Sequence, residues 1–313
     1  MTQSTFAFLS SEVIGNLTID KKSIITAYHD MTIRDCVILL SQNKILSVPI
    51  LDRYSNECLG MIDMYDCVQF CVNETDDLKG LGEKDISSTF IYSLSSSTLA
   101  DVLMKVPIEH SVVPGEGFVP LRSTDPIFKA AALFAKGIHR APLITADDKI
   151  IHVVSQSTLI KFIHSHINKG FLSDFSCMTL GQLKLGLNGV VGLTCDASVL
   201  SAIRAIRDNH VTAVALLDES GSVCGNFSAS DLRGIYEENF PSLLQSCTEY
   251  LKKHSPNSLQ VVVAESSMTV AQLLSLFVTK RIHRVWVIDS NGKPQGVVSL
   301  TDIIRVMLIE SDS

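Results

Sequence analysis

At 313 residues, 46% hydrophobic and 19% charged with a formal net charge of −7, the chain can hold two or three domains around an aliphatic core. That balance excludes a disordered or fibrous protein, and the negative charge argues against non-specific binding to nucleic acid or a membrane surface, which needs basic patches. Residues 1–5 lack the basic character of a signal peptide, and no apolar run approaches the roughly 20 residues of a membrane span.

The eight cysteines include no Cys-x-x-Cys pair and sit mostly in apolar segments. They are expected to be reduced core residues in a reducing, intracellular compartment, with Cys67 and Cys71 one helical turn apart for packing.

In chain order, an N-terminal segment (1–10) precedes a first unit (11–75). Its helix carries Ile33, Cys36, Val37 and Leu40 at the i, i+3, i+4, i+7 spacing that loads one face. A strand, Ser47-Val48-Pro49-Ile50-Leu51-Asp52, and a turn then lead to a second strand and to Asp66. A polar stretch, 73–97, reads as an exposed connection that overlaps a linker assigned to 76–104.

The second unit (105–168) repeats the order with Ile127, Ala130, Ala131 and Phe134, then Arg140-Ala141-Pro142-Leu143-Ile144, then Thr158. The third (169–240) has Val199, Ala202, Ile203 and Ile206, then Ala213-Val214-Ala215-Leu216-Leu217-Asp218, then Asp231. A linker helix (241–257) carries Leu243, Leu244, Cys247, Tyr250 and Leu251. The fourth (258–311) opens with the apolar run Val261-Val262-Val263, continues with Val270, Leu273, Leu274 and Phe277, and places strands at 282–289 and 295–298 before Asp302.

From Pro142, Ala215 and Trp286 the closing position lies sixteen residues on; from Pro49 it lies seventeen on, after a longer turn. Two spacings that recur across four segments mark an internal repeat. One such unit buries too little apolar area to stand alone, so the copies are expected to pair, as 10–168 and 169–311.

Gly296-Val297-Val298-Ser299-Leu300-Thr301-Asp302, behind a strand and a short turn, resembles the closing motif of the cystathionine-beta-synthase (CBS) domain. Four units, with Ile138-His139-Arg140 and Ile282-His283-Arg284 in the second and fourth, resemble the gamma regulatory subunits of AMP-activated protein kinase. The resemblance implies an α+β (or α/β) fold of four CBS repeats, paired into two Bateman modules that form a pseudosymmetric disc. It implies a non-catalytic energy sensor that takes AMP, ADP or ATP and no other cofactor. Ribose contacts fall to Asp302, Asp231 and Asp66. Phosphate contacts fall to His139, Arg140, His283, Arg284, Ser299 and Thr301, and the adenine lies on Val262, Val263 and Ala264. The implied partners are kinase catalytic (alpha-like) and beta-like subunits, in the cytoplasm or also the nucleus.

The chemistry of these residues agrees. An ionised Asp is an acceptor that can take ribose hydroxyls, and an Asp at a first helical turn is favoured by the macrodipole. Arg offers bidentate, charge-assisted donors to phosphate, and free amides at a helix start suit an anion. Thr158 in the second copy matches the family copy that lacks the carboxylate. Leu46 and Ser157 stand where the family places cations, which disfavours ATP more than AMP.

Other patterns have plainer readings. Arg204 and Arg207 read as solvated charges, and His164-x-His166 near Asp174 as helix surface with no metal site. No nucleophile elbow, P-loop, kinase signature or dinucleotide fingerprint is present, so no catalytic residue is assigned. Two alternatives stay open: a CBS scaffold for protein interactions that has partly lost nucleotide binding, and a sensor of another adenosyl ligand such as S-adenosylmethionine.

Overall fold

The computed structural model describes residues 5–17, 24–76, 83–105, 119–232 and 242–309. Helix α1 (Thr5–Ser11) precedes the first repeat: β1 (Ala27–Tyr28), α2 (Ile33–Gln42), β2 (Ser47–Leu51), β3 (Cys58–Asp63) and α3 (Met64–Asp76). Helices α4 (Glu83–Ser96) and α5 (Leu99–Lys105) lead to the second: β4 (Leu121–Arg122), α6 (Ile127–Ala135), β5 (Arg140–Ile144), β6 (Ile150–Ser155) and α7 (Gln156–Ser165). After α8 (Gly170–Cys177) come β7 (Gly192–Thr194), α9 (Val199–Asp208), β8 (Ala213–Leu217), β9 (Val223–Ser228) and a 3-10 turn, Ala229–Leu232. Helix α10 (Cys247–His254) and a 3-10 turn, Pro256–Leu259, precede β10 (Val263–Ala264), α11 (Val270–Lys280), β11 (Arg284–Ile288), β12 (Pro294–Ser299) and α12 (Leu300–Ile309).

Each repeat forms its own three-stranded sheet in chain order, the first pair parallel and the second antiparallel. The short first strand adds to the two strands read from the sequence; at two or three residues it is too brief to show a period. Thr32, Ser198 and Thr269 cap their helices by accepting the amide of the third residue on. Just after each of these first helices the chain turns left-handed, at Lys44, Gly137, His210 and Arg281. Only the second copy uses glycine, the residue that takes this conformation without steric cost.

The segment before each repeat is sewn onto its sequence neighbour. Val13, ahead of the first repeat, bridges to Pro126 of the second, and Thr98, ahead of the second, bridges to Thr32 of the first. In the same way Thr179 bridges to Thr269, and Ser246 to Ser198. Backbone bonds flank these points: Ile127 N to Glu12 O at 2.8 Å, Leu99 N to Met31 O at 3.0 Å, Val270 N to Met178 O at 2.9 Å and Cys247 N to Ala197 O at 2.8 Å. Consecutive repeats thus exchange arms reciprocally, first with second and third with fourth.

The chain divides into two compact units. One holds Met1–Ile24, Glu109–Gly189 and Val262–Ser313; the other holds Ile25–Ile108 and Val190–Val261. Each unit therefore draws one repeat from each consecutive pair, the second with the fourth and the first with the third. The helix faces read from the sequence build the cores. Ile33, Cys36, Val37 and Leu40 share one with Val199, Ala202, Ile203 and Ile206. Ile127, Ala130, Ala131 and Phe134 share the other with Val270, Leu273, Leu274 and Phe277. Phe8 and Leu9 of the N-terminal segment are buried in that second core.

Three plainer readings change. Within the polar stretch 73–97, residues 73–76 and 83–96 are helical, and α4 sends Phe90 and Leu94 into the core. Arg204 and Arg207 are not solvated: both bind Asp76 of α3, Arg204 Nε at 3.2 Å and Arg207 Nη1 at 2.5 Å. Cys195, just after β7, and Cys224 of β9 form a disulfide. The other six cysteines are free, with Cys36, Cys67, Cys71 and Cys247 buried. Burial pushes the half-exposed Cys58 thiol up to about 11. Among the described residues, no helix is long and apolar enough to cross a membrane.

Candidate nucleotide site

The register of the antiparallel strand pairs sets the geometry. Arg284 lies opposite Ser299 and Arg140 opposite Ser155, so each arginine stands on the same sheet face as the serine that ends the next strand. The preceding histidine is tied to the helix that follows: Leu300 N donates to His283 O at 3.1 Å, and Gln156 N to His139 O at 3.0 Å. Both His-Arg pairs therefore abut a ten-residue helix at its N-terminus, where the macrodipole favours an anion. Arg284, His139 and Arg140 are half-buried and His283 is exposed.

At each strand-to-helix junction the serine or aspartate that ends the strand closes a local box with the residue three positions on. Ser299 N and Oγ donate to Asp302 Oδ2 at 2.8 and 2.6 Å, and Asp302 N returns to Ser299 Oγ at 3.3 Å. Ser228 N and Oγ donate to Asp231 Oδ2, both at 2.8 Å. Asp63 N donates to Asp66 Oδ2 at 2.7 Å and Asp66 N to Asp63 Oδ1 at 3.0 Å. In the second copy Ser155 Oγ accepts from Thr158 N at 3.2 Å and meets Thr158 Oγ1 at 3.0 Å. This is a capping box with the carboxylate in place of the usual Glu or Gln. Capping uses one carboxylate oxygen, so it does not by itself exhaust a ribose contact.

The compact units separate the predicted site residues. His139, Arg140, His283, Arg284, Ser299, Thr301, Asp302, Val262, Val263 and Ala264 all belong to the unit of the second and fourth repeats. Asp66 and Asp231 belong to the other, where they are 5% and 3% exposed. Asp302 is half-buried. On β10, Ala264 is buried and Val263 is exposed, and Val262 O accepts from Trp286 N at 3.3 Å. That leaves an apolar edge beside the β11–β12 pair.

Gln156 was not singled out in the sequence. Its buried amide donates to Phe134 O at 3.2 Å, Ile138 O at 3.1 Å and Thr301 Oγ1 at 2.8 Å. It links the backbone just before His139 to the residue just before Asp302. Its signal was a polar residue where the sibling copies carry Met64, Ala229 and Leu300. Among the described residues, no group of three or more His, Cys, Asp or Glu is placed to hold a metal. His166 packs tilted against Phe162, with ring centroids 4.3 Å apart.

The CBS domain family matches residues 15–73, 110–165 and 257–309, more than half of the chain. The third repeat lies outside these matches yet has the same strand order as its siblings. The SNF1-related protein kinase regulatory subunit gamma-like PV42b of Arabidopsis thaliana is 26% identical over 94% of each chain. The 5'-AMP-activated protein kinase subunit gamma of Saccharomyces cerevisiae is 20% identical over 99% of this chain and 94% of its own. Protein SDS23 of Podospora anserina is 25% identical over 70% of this chain, which spans about half of that relative, 49%. A solved structure from Methanocaldococcus jannaschii, proposed as an archaeal homolog of g-AMPK, superposes with a TM-score of 0.70 at 16% identity. It covers 92% of this chain and 97% of its own, a likeness of fold. With four repeats of one topology and the family's sequence pattern over most of them, the chain belongs to the CBS-domain family.

Proposed function

We propose that the chain is a non-catalytic regulatory subunit that binds an adenine nucleotide, AMP, ADP or ATP, at the fourth repeat and reports its occupancy to a protein kinase. The observation that carries this is the Ser299–Asp302 box beside Arg284 at the start of α12. Oδ2 of Asp302 is committed to Ser299, and Oδ1 accepts no hydrogen bond among the described residues. A ribose hydroxyl would donate to Oδ1. Phosphate would meet Arg284 at the positive end of the α12 dipole, with His283, His139 and Arg140 as further donors in the same unit. The Val262–Ala264 edge would take the flat face of the base.

Ser157, in the same unit, supplies no charge, so the site suits a monophosphate better than a triphosphate, which needs more neutralisation. The gamma-subunit names of two relatives support kinase catalytic (alpha-like) and beta-like partners. Signalling would then require a different affinity for the nucleotide in the two states of that complex.

An interaction scaffold is the second reading, and the third repeat favours it: Asp231 there is buried and satisfied at both oxygens. Native mass spectrometry of the purified chain separates the two. A retained adenine nucleotide supports the sensor; none retained, with none captured on adding millimolar AMP, supports the scaffold.

A further inference from the structure

The recurrent carboxylate is not equally available in the copies that keep it. Asp302 and Asp231 close the same box, each with Oδ2 held by the serine three positions before it. They differ at the other oxygen. Asp302 is half-buried and its Oδ1 takes nothing among the described residues. Asp231 is 3% exposed, and the hydroxyl of Ser258 donates to its Oδ1.

Ser258 arrives on the 3-10 turn Pro256–Leu259, which has proline at its start and is closed by Ser258 N to Ser255 O at 2.9 Å and Gln260 N to Asn257 O at 3.0 Å. Leu259 lies over Gly225 of β9, where a side chain's Cβ would come within 3.3 Å of its Cδ2. Tyr250 OH fixes the Asp231 carbonyl at 3.0 Å from the helix just before the turn.

We infer that Ser258 is an internal substitute for a ribose hydroxyl, which closes the third repeat to adenosine ligands and leaves them to Asp302 rather than Asp231. The inference rests on the nucleotide reading above. A serine hydroxyl offers Asp231 the same donor a ribose would. Being part of the chain, it competes at an effective concentration of order millimolar, so a free ligand must first pay for opening the turn. The second and fourth repeats carry no such turn against their closing residues among the described residues, and the tripeptide Asn257-Ser258-Leu259 recurs nowhere else in the chain.

The test is AMP binding by calorimetry on the full chain. Asp302→Ala should bind no AMP. Adding Ser258→Ala should restore binding at least about tenfold over Asp302→Ala alone, adding Ser258→Thr should not, and adding Asp231→Ala to the Ser258→Ala/Asp302→Ala pair should abolish it again. The inference is overturned if Asp302→Ala keeps AMP binding that Asp231→Ala removes, or if Ser258→Ala restores nothing while the wild type binds. If the wild type binds no AMP, the nucleotide reading falls, and amide hydrogen exchange at 257–260 decides on Ser258 separately. Faster exchange in Ser258→Ala, reversed in Ser258→Thr, upholds the closure; unchanged protection in Ser258→Ala overturns it.

Discussion

Gln156 and Thr301, on helices from different repeats, meet side chain to side chain at 2.8 Å. The amide nitrogen can only donate, so Thr301 Oγ1 accepts and its own proton is left to point elsewhere. That polarity suits a hydroxyl one residue before Asp302, at the mouth of the proposed anion site.

Replacing Gln156 by Met keeps the volume but removes the donor to the Ile138 carbonyl and to Thr301, while Phe134 O keeps the amide of Gly137 at 3.1 Å. A loss of about 1–3 kcal/mol is expected, the cost of leaving buried acceptors unmade. Gln156→Glu should be worse near neutral pH, since a carboxylate would face the Phe134 and Ile138 carbonyls, and should recover toward acid as that carboxyl protonates. Thermal unfolding of the three proteins at two pH values checks both statements.

Asp76 is gripped from two turns of α9, by Arg204 and Arg207, with Asn73 also accepting from Arg207 at 2.9 Å. Because the arginines are 28% and 18% exposed, removing the shared partner leaves two partly desolvated charges side by side. Asp76→Ala should cost about 1–3 kcal/mol and more than either single arginine-to-alanine change, with the more buried Arg207 the costlier of the two. Urea unfolding at low and high salt is the check, and the difference should shrink with salt.

His254 stacks on Tyr250 with ring centroids 4.7 Å apart, and its buried Nε2 has no hydrogen-bond partner among the described residues. Burial, aided by the charge of Lys253, holds its affinity for a proton below the ordinary histidine value of 6.5. The unfolded chain therefore binds that proton more readily. The stability tied to His254 is full above the unfolded value and is lost as pH falls from there through the lowered folded value. His254→Phe should keep the stacking and flatten this part of the profile. Chemical denaturation between about pH 7.5 and 5.5 tests it.

Gly296 is the glycine of the closing motif, and its role is close approach. A Cβ there would collide with the carbonyl of Gly186, on a loop that also bonds Gly189 N to Gln295 O at 3.1 Å. Gly296→Ala should unseat that loop and cost about 1–3 kcal/mol, read by thermal unfolding and by faster exchange of the Gly189 amide. The second copy carries His152 at the same register position, opposite Leu143.

The helices, the antiparallel strand pairs and the closing boxes were legible because each obeys a local period or a three-residue spacing. Ile33 to Leu40 and Val270 to Phe277 lie in the cores as their spacing implies. What escaped is what joins segments far apart. Val13 and Pro126 bridge through backbone, which leaves no side-chain pattern. Arg204 and Arg207 look solvated on their own helix because their partner lies in another repeat. Ser258 is one serine in a polar turn until Asp231 is placed beside it. No short motif encodes the pairing of Cys195 with Cys224.

The most direct test of the central claim is calorimetric titration of AMP into the wild type and into Asp302→Ala under identical conditions. The account predicts saturable binding to the wild type and its loss in the variant, with thermal stability little changed. Equal affinity of the two proteins for AMP would contradict it.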